Sequence, residues 1–162
     1  MSLTVLLGGA RSGKSRLAIR LAEASGGAVV FVATGAARDE EMAERIARHR
    51  AGRPSGWETV EEPLELHRAV ASAPPDACVV VDCLSLWVAN LLEAGREPEL
   101  DVPVRPGPTI AVSNEVGLGI VPANALARAY RDVLGRVNAA WAEAADEAFF
   151  VVAGKALRLG DV

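Results

Sequence analysis

Residues 8–15, Gly8-Gly9-Ala10-Arg11-Ser12-Gly13-Lys14-Ser15, follow the pattern G-x-x-x-x-G-K-[ST]. The apolar, β-forming run Leu3-Thr4-Val5-Leu6-Leu7 leads into them, and Ser15 to Ala22 follows with apolar residues at 17, 18, 21 and 22, a helical spacing. A buried strand, a glycine-rich turn and a helix start are the parts of a phosphate cradle. Backbone N–H groups converge on the anion, and the helix dipole adds positive partial charge. The pattern assigns Lys14 to the β- and γ-phosphates and the Ser15 hydroxyl to Mg²⁺. A glycine-rich turn that binds nothing has no need of Lys-Ser at a helix start behind an apolar strand, so nucleotide binding is expected.

Further near-continuous apolar runs lie at 28–33, 77–81, 109–112 and 148–152, the composition of strands covered on both faces. Helical patterns fall between them, at roughly 39–50, 63–72, 84–94 and 124–145. The alternation predicts an α/β sandwich around a mostly parallel sheet, in one domain over the 162 residues. Residues 96–108 hold four prolines and are expected to be a loop. The segment from Gly154 on could be an ordered tail or a frayed one.

The net charge of −4 argues against a nucleic-acid-coating surface. No apolar run approaches the ~20 residues of a membrane span. The N-terminal run goes straight into the loop, without a basic leader or cleavage site. Cys78 and Cys83 do not form a C-x-x-C pair, so buried free thiols in a reducing cytoplasm are expected, without structural zinc.

Ligands of such sheets bind beyond the carboxyl ends of the strands, where several polar clusters begin. Asp82 closes Val79-Val80-Val81 and is a candidate second Mg²⁺ contact, or else a cap for the helix beginning at Leu84. Ala33-Thr34-Gly35 is either a simple turn or part of the nucleotide pocket. His49 stands among Arg48, Arg50 and Arg53 just before Gly52 and Pro54. Neighbouring cations favour a neutral, nucleophilic imidazole, and the guanidiniums could hold a polyphosphate. The alternative is a helix-terminal histidine among solvated arginines. His67 is expected to be structural or exposed. Ser113 to Pro122 carries two glycines and polar groups at a strand end, suited to a ligand-binding loop or a plain connection. Asn114 is followed by Glu115, so the Asn-Lys-x-Asp signature of guanine-reading switch proteins is absent.

Together these segments resemble the bifunctional adenosylcobinamide kinase / adenosylcobinamide-phosphate guanylyltransferase family of cobalamin biosynthesis. The phosphate loop through Arg16, Val32-Ala33-Thr34, Asp39 to Met42, Arg45-Ile46 through Arg53-Pro54 and Trp57 to Glu61 carry the likeness. So do Val81 to Ser85, Asn114 to Gly117 with Gly119 to Pro122, and Arg131-Asp132 with Gly135 to Asn138. The resemblance implies a RecA-like P-loop fold and a homotrimer. It further implies that His49 carries GMP covalently, and that Glu61 and Asp82 contact the nucleotide together with Ala33, Thr34 and Gly35 and with Arg50, Ala51, Gly52 and Arg53. The 96–108 loop departs from the family pattern in being shorter and richer in proline.

The expected chemistry is then two half-reactions in one chain. The first moves a γ-phosphoryl group from GTP, or ATP, to adenosylcobinamide, with Lys14 and Mg²⁺ held by Ser15 and Asp82 stabilising the charge. In the second, His49 displaces pyrophosphate from GTP, and adenosylcobinamide phosphate accepts the guanylyl group. The competing expectations are a stand-alone small-molecule kinase with a structural His49, and a slow nucleotide-dependent switch.

Overall fold

The computed structural model describes residues 2–37 and 39–160; for Met42, Arg45 and His49 it describes the place in a helix but not the side chain. Twelve elements follow one another: β1 (Leu3–Gly8), α1 (Lys14–Ala24), β2 (Val29–Ala33), α2 (Glu40–Ala51), β3 (Glu58–Glu61), α3 (Leu66–Ser72), β4 (Cys78–Asp82), α4 (Leu84–Glu93), β5 (Thr109–Asn114), α5 (Ala125–Glu143), β6 (Glu147–Val152) and β7 (Lys155–Arg158). The seven strands form one sheet in the order β3-β2-β4-β5-β1-β6-β7. All neighbouring pairs are parallel except β6 with β7. Parallel pairing puts the carboxyl ends of β1 to β6 on one edge of the sheet, where Gly8, Ala33, Glu61 and Asp82 end their strands.

The strands are apolar throughout because helices cover both faces. On one face Val5, Val32, Val79, Val81 and Ala111 pack against Leu66 and Val70 of α3, Leu84, Trp87 and Leu91 of α4, and Leu134, Val137 and Trp141 of α5. On the other, Leu6, Phe31, Val80, Ile110 and Val112 pack against Ala18 and Ala22 of α1. This is the three-layer, RecA-like α/β sandwich expected from the sequence. Cys78 and Cys83 are both free and buried.

One helix boundary differs from expectation, one strand lies where no element was expected, and one segment left open is ordered. Glu58-Thr59-Val60-Glu61 forms the edge strand β3, which lies outside the apolar runs; a charged edge needs burial on one side only. The terminal segment is ordered as β7 behind a two-residue turn, with Ala153 at φ 50 and Gly154 at φ 76, the geometry of a tight hairpin. The third helix begins at Leu66 rather than 63, because the Glu62 carboxylate accepts from the N–H groups of Leu64 (3.0 Å) and Glu65 (2.9 Å) and holds 62–65 as a turn.

Candidate nucleotide-transfer site

The phosphate loop leaves β1 at Gly8 and enters α1 at Gly13. Both positions demand glycine. Gly8 has φ 151, and a Cβ there would run into the Val151 carbonyl oxygen of β6. Gly13, at φ 106, lies against Gly154 in the β6–β7 turn. The turn itself closes with Ser12 N–H donating to the Gly9 carbonyl at 3.4 Å. No acidic residue occupies the first turn of α1, so no carboxylate of its own competes for the N–H groups an anion would use.

Lys14 is 6 % exposed, and its ammonium donates to the carbonyls of Gly8 (2.8 Å) and Gly9 (2.6 Å) and to Ser12 Oγ (3.3 Å). Burial lowers its pKa below 10.5, and the Asp82 carboxylate opposes that shift. The Cys83 thiol, pushed up to about 11 by burial, is neutral at pH 7.

Register places Glu61, Ala33 and Asp82 in one row across β3, β2 and β4. At the usual strand spacing, Glu61 and Asp82 stand roughly 10 Å apart on one face of the sheet. Thr34, fully buried, ties this row together. Its N–H donates to the Asp82 carbonyl at 3.2 Å, and its hydroxyl both donates to the Cys83 carbonyl and accepts from the Cys83 N–H. Asn90 of α4 donates to the Thr34 carbonyl at 2.7 Å from beneath. Asp82 is thus held by the sheet, and Leu84 begins α4 behind it.

The carboxyl end of α2 hangs over the same row. Arg50 forms an ion pair with Glu61. The Arg53 guanidinium lies 3.8 Å from the centroid of the Phe31 ring, which stacks on Trp57 at 6.3 Å. Burial lowers the Arg53 pKa, with Asp82 raising it and Arg50 lowering it. Ala51 ends the helix, and Gly52 N–H donates to the Arg48 carbonyl at 3.2 Å. His49 belongs to this last turn, one residue before Arg50; its side chain lies outside the described residues. Of the residues singled out in the sequence, Lys14, Thr34, Arg50, Arg53, Glu61 and Asp82 thus share one edge of the sheet. His67 lies elsewhere, its Nδ1 2.9 Å from Glu99 and its ring edge-on to Trp87.

Ser113 and Asn114, expected to open a ligand-binding loop or a plain connection, lie in a buried polar network with Ser85, Tyr130 and Asn138. Ser85 Oγ accepts from the Asn114 N–H at 2.6 Å and lies 3.4 Å from Ser113 Oγ. Asn138 donates to the Asn114 carbonyl at 3.0 Å, and the Tyr130 hydroxyl, its pKa pushed up to about 12 by burial, donates to the Ser85 carbonyl. The Glu115 N–H then donates to the Gly8 carbonyl, so this network is joined to the phosphate loop. The available signal was polar residues on the apolar faces of α4 and α5.

The donor set suits a hard divalent cation: a hydroxyl at Ser15 in the first turn of α1 and a carboxylate at Asp82, both oxygen ligands.

The chain is similar to several known proteins. Residues 4–159 match the family model described as cobinamide kinase / cobinamide phosphate guanyltransferase. The chain is 49% identical over 160 residues to the bifunctional adenosylcobalamin biosynthesis protein CobP of Pseudomonas aeruginosa, covering 93% of this chain and 92% of that protein. It is 37% identical over 180 residues to the bifunctional adenosylcobalamin biosynthesis protein CobU of Salmonella typhimurium, covering 97% and 99%. Among solved structures, the flagellar accessory protein FlaH from Methanocaldococcus jannaschii superposes with a TM-score of 0.51 at 16% identity, over 98% of this chain and 77% of that one, a likeness of fold.

Proposed function

This chain belongs to the cobinamide kinase / cobinamide phosphate guanyltransferase family, and on that premise we propose that one phosphate loop serves two successive transfers with His49 as the covalent carrier. The protein is a bifunctional transferase of adenosylcobalamin biosynthesis. In the kinase step the hydroxyl of the aminopropanol arm of adenosylcobinamide attacks the γ-phosphorus of GTP or ATP. An O–P bond forms, the bond to the β-phosphate oxygen breaks, and the hydroxyl proton passes to solvent. Lys14, already surrounded by loop carbonyls, shifts its ammonium to the phosphate oxygens, where it offsets the charge that moves to the leaving group. Mg²⁺ held by Ser15 and Asp82 would supply further charge neutralisation at the phosphates.

In the guanylyl step an imidazole nitrogen of His49 attacks the α-phosphorus of GTP, and pyrophosphate leaves. A phosphate oxygen of adenosylcobinamide phosphate then attacks the same phosphorus, breaking the N–P bond and yielding adenosylcobinamide-GDP. Arg50 and Arg53 hold the phosphates, and Glu61 and Asp82 contact the nucleotide together with Ala33, Thr34 and Gly35. The observation that supports this reading is the docking of the last turn of α2 on the Glu61–Ala33–Asp82 row through Arg50 and Arg53. By the family resemblance the assembly is a homotrimer, and the free thiols and nucleotide substrate suit a reducing cytoplasm.

The test uses GTP labelled with ³²P at the α-position. An acid-labile, alkali-stable label on the wild type that is missing from His49→Ala is the expected result. Equal labelling of His49→Ala would overturn the assignment.

A further inference from the structure

On the far side of the phosphate loop from α2, a cleft of about 220 Å³ opens between α1 and the β6–β7 hairpin, lined by Gly13, Arg16, Leu17, Arg20, Gly154 and Lys155 among others. The β6–β7 turn forms its wall and touches the loop directly, since Gly154 N–H donates to the Ser12 carbonyl at 2.8 Å. Three cations thus converge on one hollow of a chain whose net charge is −4. Among the described residues, the side chains of Arg16, Arg20 and Lys155 make no hydrogen bond or ion pair. Among the described residues, no carboxylate lines the cleft.

We infer that this cleft is a second nucleoside subsite, which receives the base and ribose of the triphosphate when it acts as phosphoryl donor. This rests on the two-transfer reading above and deepens it. The strand order supplies the reason. β1 carries the loop, with β5, β4 and β2 to one side and β6 and β7 to the other. Phosphoryl transfer needs the γ-phosphate on the Asp82 side, so the chain of phosphates runs away from β4 and the nucleoside emerges toward β6. Attack by His49 needs the reverse: the α-phosphorus must face α2, beside β2 and β3, with pyrophosphate in the loop. One cradle therefore binds triphosphate in two directions, and each direction requires its own nucleoside pocket.

The two pockets differ in chemistry. Glu61 presents a carboxylate on the α2 side, which can accept from the ring N–H and amino group of guanine. The hairpin cleft offers Arg16 as a flat cation for stacking and Lys155 as a point charge for the α-phosphate. It grips the face of a purine and not its edge, and its volume suits a nucleoside rather than a corrinoid.

The experiment compares wild type with Arg16→Ala/Lys155→Ala in two assays with GTP. One follows conversion of adenosylcobinamide to its phosphate, the other the rate of covalent α-³²P labelling. The expected result is a KM for GTP raised about tenfold or more in the kinase assay, with labelling unchanged. An unchanged KM, or a parallel loss in both assays, overturns the second subsite. A wild type that fails to label at all refutes the covalent histidine instead, and leaves the kinase arm still decisive for the cleft. Photo-cross-linking of the wild type with 8-azido-GTP is independent of any variant's folding. Label within residues 151–158 supports the cleft, and label confined to 50–61 overturns it.

Discussion

Thr34 and Cys83 share two hydrogen bonds through one hydroxyl, at 2.7 Å to the carbonyl and 2.9 Å from the N–H. This pair joins the chain leaving β2 to the chain leaving β4, and Asp82 sits immediately before it. Thr34→Val keeps the shape but leaves a buried N–H and a buried carbonyl without that partner. We expect a loss of about 1–3 kcal/mol in urea unfolding, with kinase activity falling alongside as Asp82 is released. Thr34→Ser should retain most of both; an unaffected Thr34→Val would show that the hydroxyl holds nothing in place.

Gly8→Ala tests the packing of the loop against β6. The new Cβ meets the Val151 carbonyl at a backbone angle an L side chain rarely adopts. The strain should cost about 1–3 kcal/mol and lower Tm. Gly9→Ala, where a Cβ meets nothing within 4 Å, should leave Tm nearly unchanged. Equal Tm values for the two variants would contradict this account.

Lys14 should set an alkaline limit on phosphoryl transfer. Burial holds its pKa below 10.5, so the free enzyme loses this proton at lower pH than an ordinary lysine would. The kcat/KM profile, which reports the free enzyme, should fall on an alkaline limb below 10.5. The sign for stability is opposite. The folded state binds fewer protons than the unfolded one between the lowered value and 10.5, so this group's penalty is full at neutral pH and relaxes as pH rises through that window. A limb at or above the ordinary lysine value would rule Lys14 out as its source.

The loop after β5 leaves Leu118, Ile120 and Val121 exposed, Ile120 at 98 %, with Leu126 nearby at 74 %. If the chain assembles as a trimer, this apolar run is the surface expected to be covered. Ile120→Glu should shift the mass measured by light scattering toward the monomer. An unchanged trimer would place the interface elsewhere.

Much of this protein was legible before any coordinates. The phosphate loop, five of its six parallel strands and the 96–108 loop follow from composition and period, because buried parallel strands must be apolar and prolines end regular structure. β3 was not legible, since an exposed edge strand carries no such demand, and β7 depends on a turn whose register is set by β6. Asp82 and Arg53 were visible as polar groups at strand or helix ends, but Phe31 reads as plain core until Arg53 lies on its ring.

What the sequence determined by itself is local: a strand, a glycine turn and a helix start make an anion cradle wherever they occur, because the N–H groups come from consecutive residues. The tertiary structure decided which groups surround that cradle. Arg50 and Glu61 lie eleven positions apart, and Gly154 meets Ser12 from the opposite end of the chain. Such meetings depend on the order of strands in the sheet, which arises from packing both faces at once and is written in no single segment.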